Sequence, residues 1–477
     1  MRVVWVSLAL LATLPCSSAF VDAQEVPPAA VGPEVASGQS EENTQSTQAP
    51  VVLTGLGTAP GGALSAERDQ LVPEFRVLET LESNPNELPD VSTVRSITRI
   101  LGTVGVQRVR NFTDLKLAYV GGVELFNDHN ESTDRNRQLQ ELYFDGKLKW
   151  KRTNLRLVDA FSYLPEAAFG AGSFGGVGVF SSLLGGYLAG LGSAGLSQFA
   201  PAQFASIGDS PRFVNTSMVE LERRVSPRAV LTATAAYGFV NFLETPPENP
   251  PPPNASQGIG EVGYNYAVGP KDTAAVLGGY GSFDFSHIGQ AFTTAYTELL
   301  WGHAFSSRTT LGGGAGPVVI DVKETGGGDQ LTWIAVARLQ YQRPRTGVSV
   351  RYLHYINGGS GLLLGAHSDA AVLEASRQLT RAWNGNLHAG YTHSTQIEGV
   401  TVPGFTVGSH NSFDRGYAGV RFSRPLTEHT EFFVIYNYSQ TDLGQNPFCG
   451  SGECGKVARQ NIGGVGLTWA PRPIRIR

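Results

Sequence analysis

The sequence predicts an all-β chain: a membrane-crossing, antiparallel up-and-down β-barrel of about sixteen strands behind a disordered N-terminal extension. Three observations carry this. First, from about Phe112 to Trp469 the connections between alternating stretches run short, long, short, long. The short ones read Lys151-Arg152-Thr153-Asn154, Ser226-Pro227-Arg228, Gly269-Pro270-Lys271-Asp272, Ser306-Ser307-Arg308, Arg343-Pro344-Arg345-Thr346-Gly347 and Thr380-Arg381-Ala382. The long ones are rich in Gly, Pro, Asn and Ser. Tight turns at one end and long loops at the other suit a closed barrel in a bacterial outer membrane. Second, the stretches between them alternate with a period of two. Third, the 477 residues are only 16% charged, hold 58 Gly and two Met, and have a mean hydropathy near neutral. That profile is poor in helix formers and fits strands with one face to lipid and one to water. The net charge of -5 gives no global basic field, so no nucleic-acid partner is expected.

The N-terminus, residues 1–23, has the form of a secretory signal peptide. Arg2 supplies the charge, Val3 to Leu14 the apolar run, and Ala19 and Ala23 both fit as cleavage points. A lipid anchor on Cys16 is disfavoured by Pro15, and about twelve apolar residues are too few to span a bilayer. Residues 24–95 are expected to be a disordered or periplasmic extension. Up to about residue 65 it lacks periodicity and is rich in Ala, Pro, Gly, Ser, Gln and Glu. Ala66 to Leu81 fits a short helix, and Pro85 and Pro89 break the next stretch. Residues 96–111 fit either an extra strand or a plug element.

The strands expected next span 112–126, 138–150, 153–164, 213–225, 229–243, 257–268, 272–285, 291–305, 308–321, 331–343, 347–357, 367–379, 383–396, 413–424, 429–441 and 458–469. The first sets Leu115, Leu117 and Tyr119 against Lys116, Ala118 and Glu124. The second sets Leu142, Phe144, Leu148 and Trp150 against Tyr143, Asp145, Lys147 and Lys149. The fourth opposes Val219 and Leu221 to Glu220, Glu222 and Arg224; the tenth opposes Trp333, Ala335, Ala337, Leu339 and Tyr341 to Arg338, Gln340 and Gln342. An even count leaves both barrel termini at the short-turn, periplasmic end. If 97–109 also crosses, it needs a partner and the count becomes eighteen. Trp150, Trp301, Trp383 and Trp469 fall near the short-turn ends and Trp333 near the other, as an aromatic girdle requires. Residues 470–477 form a basic tail.

This pattern covers about three quarters of the chain and resembles porin-type outer-membrane barrels as a class. The last strand, Gly464-Val465-Gly466-Leu467-Thr468-Trp469, resembles the segment read by the barrel-assembly machinery, although the chain continues to Arg477. No plug domain or energy-coupling box of a receptor is evident. The resemblance implies an outer-membrane location, lipid and the assembly machinery as partners, and passive diffusion of small polar solutes. A homotrimer is open to a barrel of this class, although no interface is evident. The alternative is a plugged, non-transporting barrel whose outer loops bind a partner.

Inward alternation makes Lys147, Lys149, Glu220, Glu222, Arg224, Glu261, Glu298, Arg338, Arg351, Glu374 and Arg421 the candidate pore-lining residues, with Lys116 and Glu141 beside them. Such groups either set ion preference or simply pair laterally and keep the interior polar. Arg338, Arg351 and Arg421 are expected to form a basic rung facing Glu220 and Glu222. The loop 165–211 has no charged residue between Glu166 and Asp209 but many apolar ones. It is expected to constrict or lid the barrel, cover its rim, or dock on a neighbour. The loop near 244–256 holds a stiff proline run. Cys449 and Cys454, close together in one Gly-rich loop, are expected to form a disulfide; two thiols without a nearby His make no metal site. The nine His residues are scattered, with His388 expected to face the lumen. No nucleophile motif or metal-spaced pair occurs, so neither an enzyme nor a cofactor is expected.

Overall fold

The computed structural model describes residues 69–84, 94–126, 137–164, 212–243, 254–286, 289–323, 329–358, 364–398, 412–442 and 457–476. The signal segment, the extension before residue 69, the 165–211 loop, the proline run and Cys449 and Cys454 lie outside them. The described chain is all strand: β1 (Gln70–Ser83), β2 (Val94–Val109), β3 (Thr113–Phe126), β4 (Arg137–Lys149), β5 (Thr153–Leu164), β6 (Arg212–Ser226), β7 (Ala229–Phe242), β8 (Asn254–Ala267), β9 (Asp272–Ser286), β10 (Gln290–Ser306), β11 (Thr309–Val322), β12 (Gln330–Arg343), β13 (Thr346–Asn357), β14 (Ala366–Gln378), β15 (Asn384–Gln396), β16 (Ser412–Pro425), β17 (Thr430–Asp442), β18 (Val457–Trp469) and the two-residue β19 (Ile474–Arg475). Each strand from β1 to β17 pairs antiparallel with the next. β18 pairs with β1, from Phe75↔Trp469 to Ser83↔Asn461, and this closes the barrel.

The count is therefore eighteen rather than sixteen. The sixteen expected strands are all present, with boundaries within three residues of those the pattern predicts. The two additional strands come from the segment ahead of Phe112. Residues 70–83 form a strand, not the expected helix, so the barrel begins inside the segment that composition assigns to the extension. Residues 94–109 form a crossing strand and not a plug element. Apolar side chains fall on both faces of β1, with Phe75, Val77 and Leu81 outside and Leu78 buried inside, which blurs the two-residue period. Pro73, a further strand breaker, sits where β1 has a ladder partner on β2 but none between the β18 and β19 pairings. Parity is preserved, because the two strands enter together.

The seam is also tied by its ends. Asp69, at a φ of 52°, accepts from the Val109 amide at 3.2 Å and pairs with Arg110 at 2.7 Å, and its carbonyl accepts from the Ile476 amide. The C-terminal tail thus returns to the barrel: Ile474 and Arg475 pair with Leu71 and Gln70.

Eight connections are short: 110–112, 150–152, 227–228, 268–271, 307–308, 344–345, 379–383 and 426–429. They share one end of the barrel with both of its termini. The connections at the other end are longer, apart from 287–289, where Gly289 turns the chain at a φ of 73°.

The outer face is apolar. Leu331 is 75% exposed, Leu299 68% and Trp150 53%, and Phe75, Leu117, Tyr119, Leu221, Tyr237, Tyr280 and Val465 are also exposed. So large an apolar surface around a closed barrel is a lipid-facing band. Trp150, Trp301, Trp333 and Trp469 are exposed on it, and Trp383 is half-buried in its turn. Among the described residues no helix is long and apolar enough to cross a membrane. The strands make the crossing, and the chain is an outer-membrane β-barrel of porin-like architecture.

Candidate functional site: the inner wall of the barrel

The alternation that turns apolar side chains outward turns their neighbours inward. All eleven candidate residues, with Lys116 and Glu141, occupy the face opposite the exposed apolar side chains. Cross-strand registers align them into rows. One row runs Asp114↔Lys147↔Arg156↔Glu220↔Thr234↔Glu261↔Gly279↔Tyr296 across β3 to β10. A second runs Arg338↔Arg351↔Val372↔Gly390↔Tyr417 across β12 to β16.

Two carboxylates of the first row, with Glu141 and Glu298, set four buried glutamates on this arc, where Lys147, Arg156 and Arg212 also face inward. Glu141, Glu220, Glu261 and Glu298 come from β4, β6, β8 and β10, and all are buried, between 1% and 5% exposed. Arg156 on the same arc is held by Asp145 through two bonds of 3.0 Å. Glycine shapes this wall. A Cβ on Gly279 would overlap the Tyr296 ring, so the missing side chain lets Tyr296 lie across β9. From there its hydroxyl donates to Glu261 Oε2 at 3.4 Å.

The other arc is basic. Arg338, Arg351, Arg415 and Arg421 come from β12, β13 and β16, and Arg76 from β1. Arg421 pairs with Glu431 at 3.1 Å and lies 4.1 Å from the Phe433 ring centre, with Arg76 5.9 Å from the same ring. Such stacking holds guanidinium planes in fixed orientation. Tyr417 crosses Gly390 as Tyr296 crosses Gly279. Glu374, paired with His388 in register, is exposed on this arc. In strand order the centre of the basic arc lies about half a circumference from β6 to β8, so the two arcs are opposite walls.

The wall is not uniformly polar. Phe283, Phe285, Phe292, Val318, Ile320, Ile334, Leu353 and Tyr355 form a buried cluster on its β9 to β13 sector. A second joins Leu78, Leu101, Val120, Tyr143, Met218 and Phe433. Near the long-loop end of β1 to β3, Arg99 is 1% exposed. It bonds Glu124 at 2.7 Å, Glu82 at 3.0 Å and Thr80 at 2.8 Å.

The structure also brings together residues that are scattered along the chain. His388 faces inward, but His303, His354 and His393 face outward. Each outward His bonds an aspartate on the neighbouring strand: Asp272 at 2.8 Å, Asp369 at 2.9 Å and Asp414 at 2.7 Å. The last two repeat one device. Tyr352, two residues before His354, donates to Asp369 at 2.5 Å; Tyr391, two before His393, donates to Asp414 at 2.5 Å. Tyr-x-His recurs in the sequence, but only strand register reveals the aspartate. Among the described residues no group of His, Cys, Asp and Glu is placed to hold a metal ion.

No protein-family model matches the sequence, and no curated protein matches it. Solved structures with a similar shape include three proteins of Pseudomonas aeruginosa, one of them the outer membrane protein OpdK. OccK2 (OpdF) is 9% identical, with a TM-score of 0.43 over 86% of this chain and all of its own. OprD is 12% identical, with a TM-score of 0.39 over 86% of this chain and 97% of its own. OpdK is 9% identical, with a TM-score of 0.40 over 84% of this chain and 98% of its own.

Proposed function

We propose that the barrel is an outer-membrane channel for passive passage of small polar solutes. The observation that carries this is the pair of opposed charged arcs on its inner wall. Four glutamates on β4 to β10 face arginines on β12 to β16 and β1. A solute with separated charges, such as a zwitterion, is oriented between such walls, and an ion feels opposite fields on its two sides. Tyr296 and Tyr417 add hydroxyls on the two arcs. Glu222, Arg224 and Lys149 lie toward the short-turn end, on the path between the arcs and the periplasm, and Lys147 lies in the row of Glu220 itself. The 165–211 loop completes this reading as a constriction or lid.

Liposome swelling across sugars and amino acids tests it directly. Small zwitterions should pass faster than neutral sugars of equal size. Replacing Glu220, Glu261 and Glu298 by Gln should remove that advantage. Deleting 170–200 should raise single-channel conductance if the loop constricts the pore; unchanged conductance would count against that role. The second reading, a closed barrel that binds a partner through its outer loops, draws on the burial of the four glutamates and on the apolar inner clusters. A barrel silent in planar bilayers would favour it.

A further inference from the structure

The two ends of the barrel differ sharply in charge. Seven of the eight short connections contain a basic residue between their strands: Arg110, Lys151 with Arg152, Arg228, Lys271, Arg308, Arg345 and Arg381. The eighth, 426–429, holds Glu428, which pairs with Arg472 at 2.9 Å, and Arg424 lies near the end of the strand before it. All eight turn bases named are exposed. Arg110 pairs with Asp69, but among the described residues none of the other seven forms an ion pair. At the opposite end the longer connections carry thirteen Asp and Glu, from Glu87 to Glu453, against three basic residues, Arg135, Lys323 and Lys456.

We infer that these turns form a basic collar that binds the phosphates of anionic glycerophospholipids in the periplasmic leaflet. Three features select that occupant. The collar lies at interface depth, because the outward tryptophans of this end sit beside it: Trp150 adjoins Lys151, Trp383 follows Arg381 by two residues, and Arg424 lies 5.8 Å from the Trp383 ring. The charges are spread around most of the circumference, from the β2–β3 turn to the β14–β15 turn. A lipid annulus touches every turn, whereas a folded protein partner would touch one arc. Seven of the eight bases form no ion pair among the described residues, so a phosphate layer is a natural counter-charge for them.

The tryptophans supply the readout. The full barrel is reconstituted in phosphatidylcholine bilayers containing either brominated phosphatidylglycerol or brominated phosphatidylcholine at matched mole fraction, and bromine quenching of tryptophan emission is compared. The inference expects stronger quenching by the glycerol lipid at low salt. The preference should fade as salt is raised, because surface charge is screened within about 8–10 Å at 0.1–0.15 M. A variant with Arg228→Gln, Arg308→Gln, Arg345→Gln and Arg381→Gln should lose most of the preference. Equal quenching by the two lipids, or a preference that salt leaves unchanged, would overturn the inference even if the variant failed to fold. It would equally be overturned in favour of the cell wall if peptidoglycan fragments bound the collar while the lipids showed no preference. The readout is independent of transport, so a silent barrel with a lipid preference would sink the channel and leave the collar standing.

Discussion

At the scale of single residues, the described interior is held by charge networks and by glycines that admit large rings. Arg99 is the sharpest case, because three side chains converge on one buried guanidinium. Arg99→Met leaves Glu82 and Glu124 facing each other without it. Removing one partner of a buried ionic group typically costs about 3–5 kcal/mol. A loss of that order is expected in urea unfolding of the barrel in bilayers, followed by tryptophan emission. Adding Glu82→Gln and Glu124→Gln should recover much of it; a loss under about 1 kcal/mol for Arg99→Met alone would contradict the network's role. Gly279 gives a second test. Gly279→Ala should cost about 1–3 kcal/mol by overpacking against Tyr296, whereas Gly463→Ala, with open space at its Cβ position, should be close to neutral.

At the scale of elements, the seam between β18 and β1 decides whether there is a barrel at all. Without β1, the edges of β2 and β18 would expose unpaired backbone groups in lipid, where each such group is costly. Paired cysteines check the closure: Val77→Cys with Leu467→Cys, which are register partners, should crosslink on oxidation in a background lacking native cysteines. Val77→Cys with Trp301→Cys should not. The turn 426–429 offers a pH test of the tail. Arg472 beside Glu428 holds that carboxyl below the usual glutamate range. Because the folded value is depressed, the pair helps only above the ordinary pKa and is lost as the pH falls through the lower one. Both groups are exposed, so Arg472→Gln should move the Glu428 titration upward, seen by NMR, and leave the unfolding midpoint unchanged.

At the scale of the whole molecule, an inner wall with opposed arcs and an outer surface with opposed ends describe a barrel polarised in two directions. In a salt gradient, neutralising Glu220, Glu261 and Glu298 should shift the reversal potential toward anions, and neutralising Arg338, Arg351 and Arg421 toward cations. Identical potentials for the two sets would mean that neither arc borders the conducting path.

Strand positions are legible in the sequence because the lipid face and the inner face impose opposite chemistry at every second residue, as in Leu117 against Lys116 or Leu339 against Arg338. Turn lengths likewise disclose which end is which. β1 is hidden because its pattern is broken by inward Leu78, outward Glu79 and Pro73. Glu79 is tolerated outside because Ser96 and Thr98 on β2 donate to it, a partnership that needs the neighbouring strand. The same reason hides the His–Asp pairs and the register that sets Tyr417, not Arg421, in the row of Arg338 and Arg351. Sequence alone determined the class of fold, the even parity and the face of each candidate residue, since these follow from a two-residue period. Tertiary structure decided the closure, the two strands ahead of Phe112 and which charges meet, because register between strands distant in the chain is set by pairing and not by any local preference.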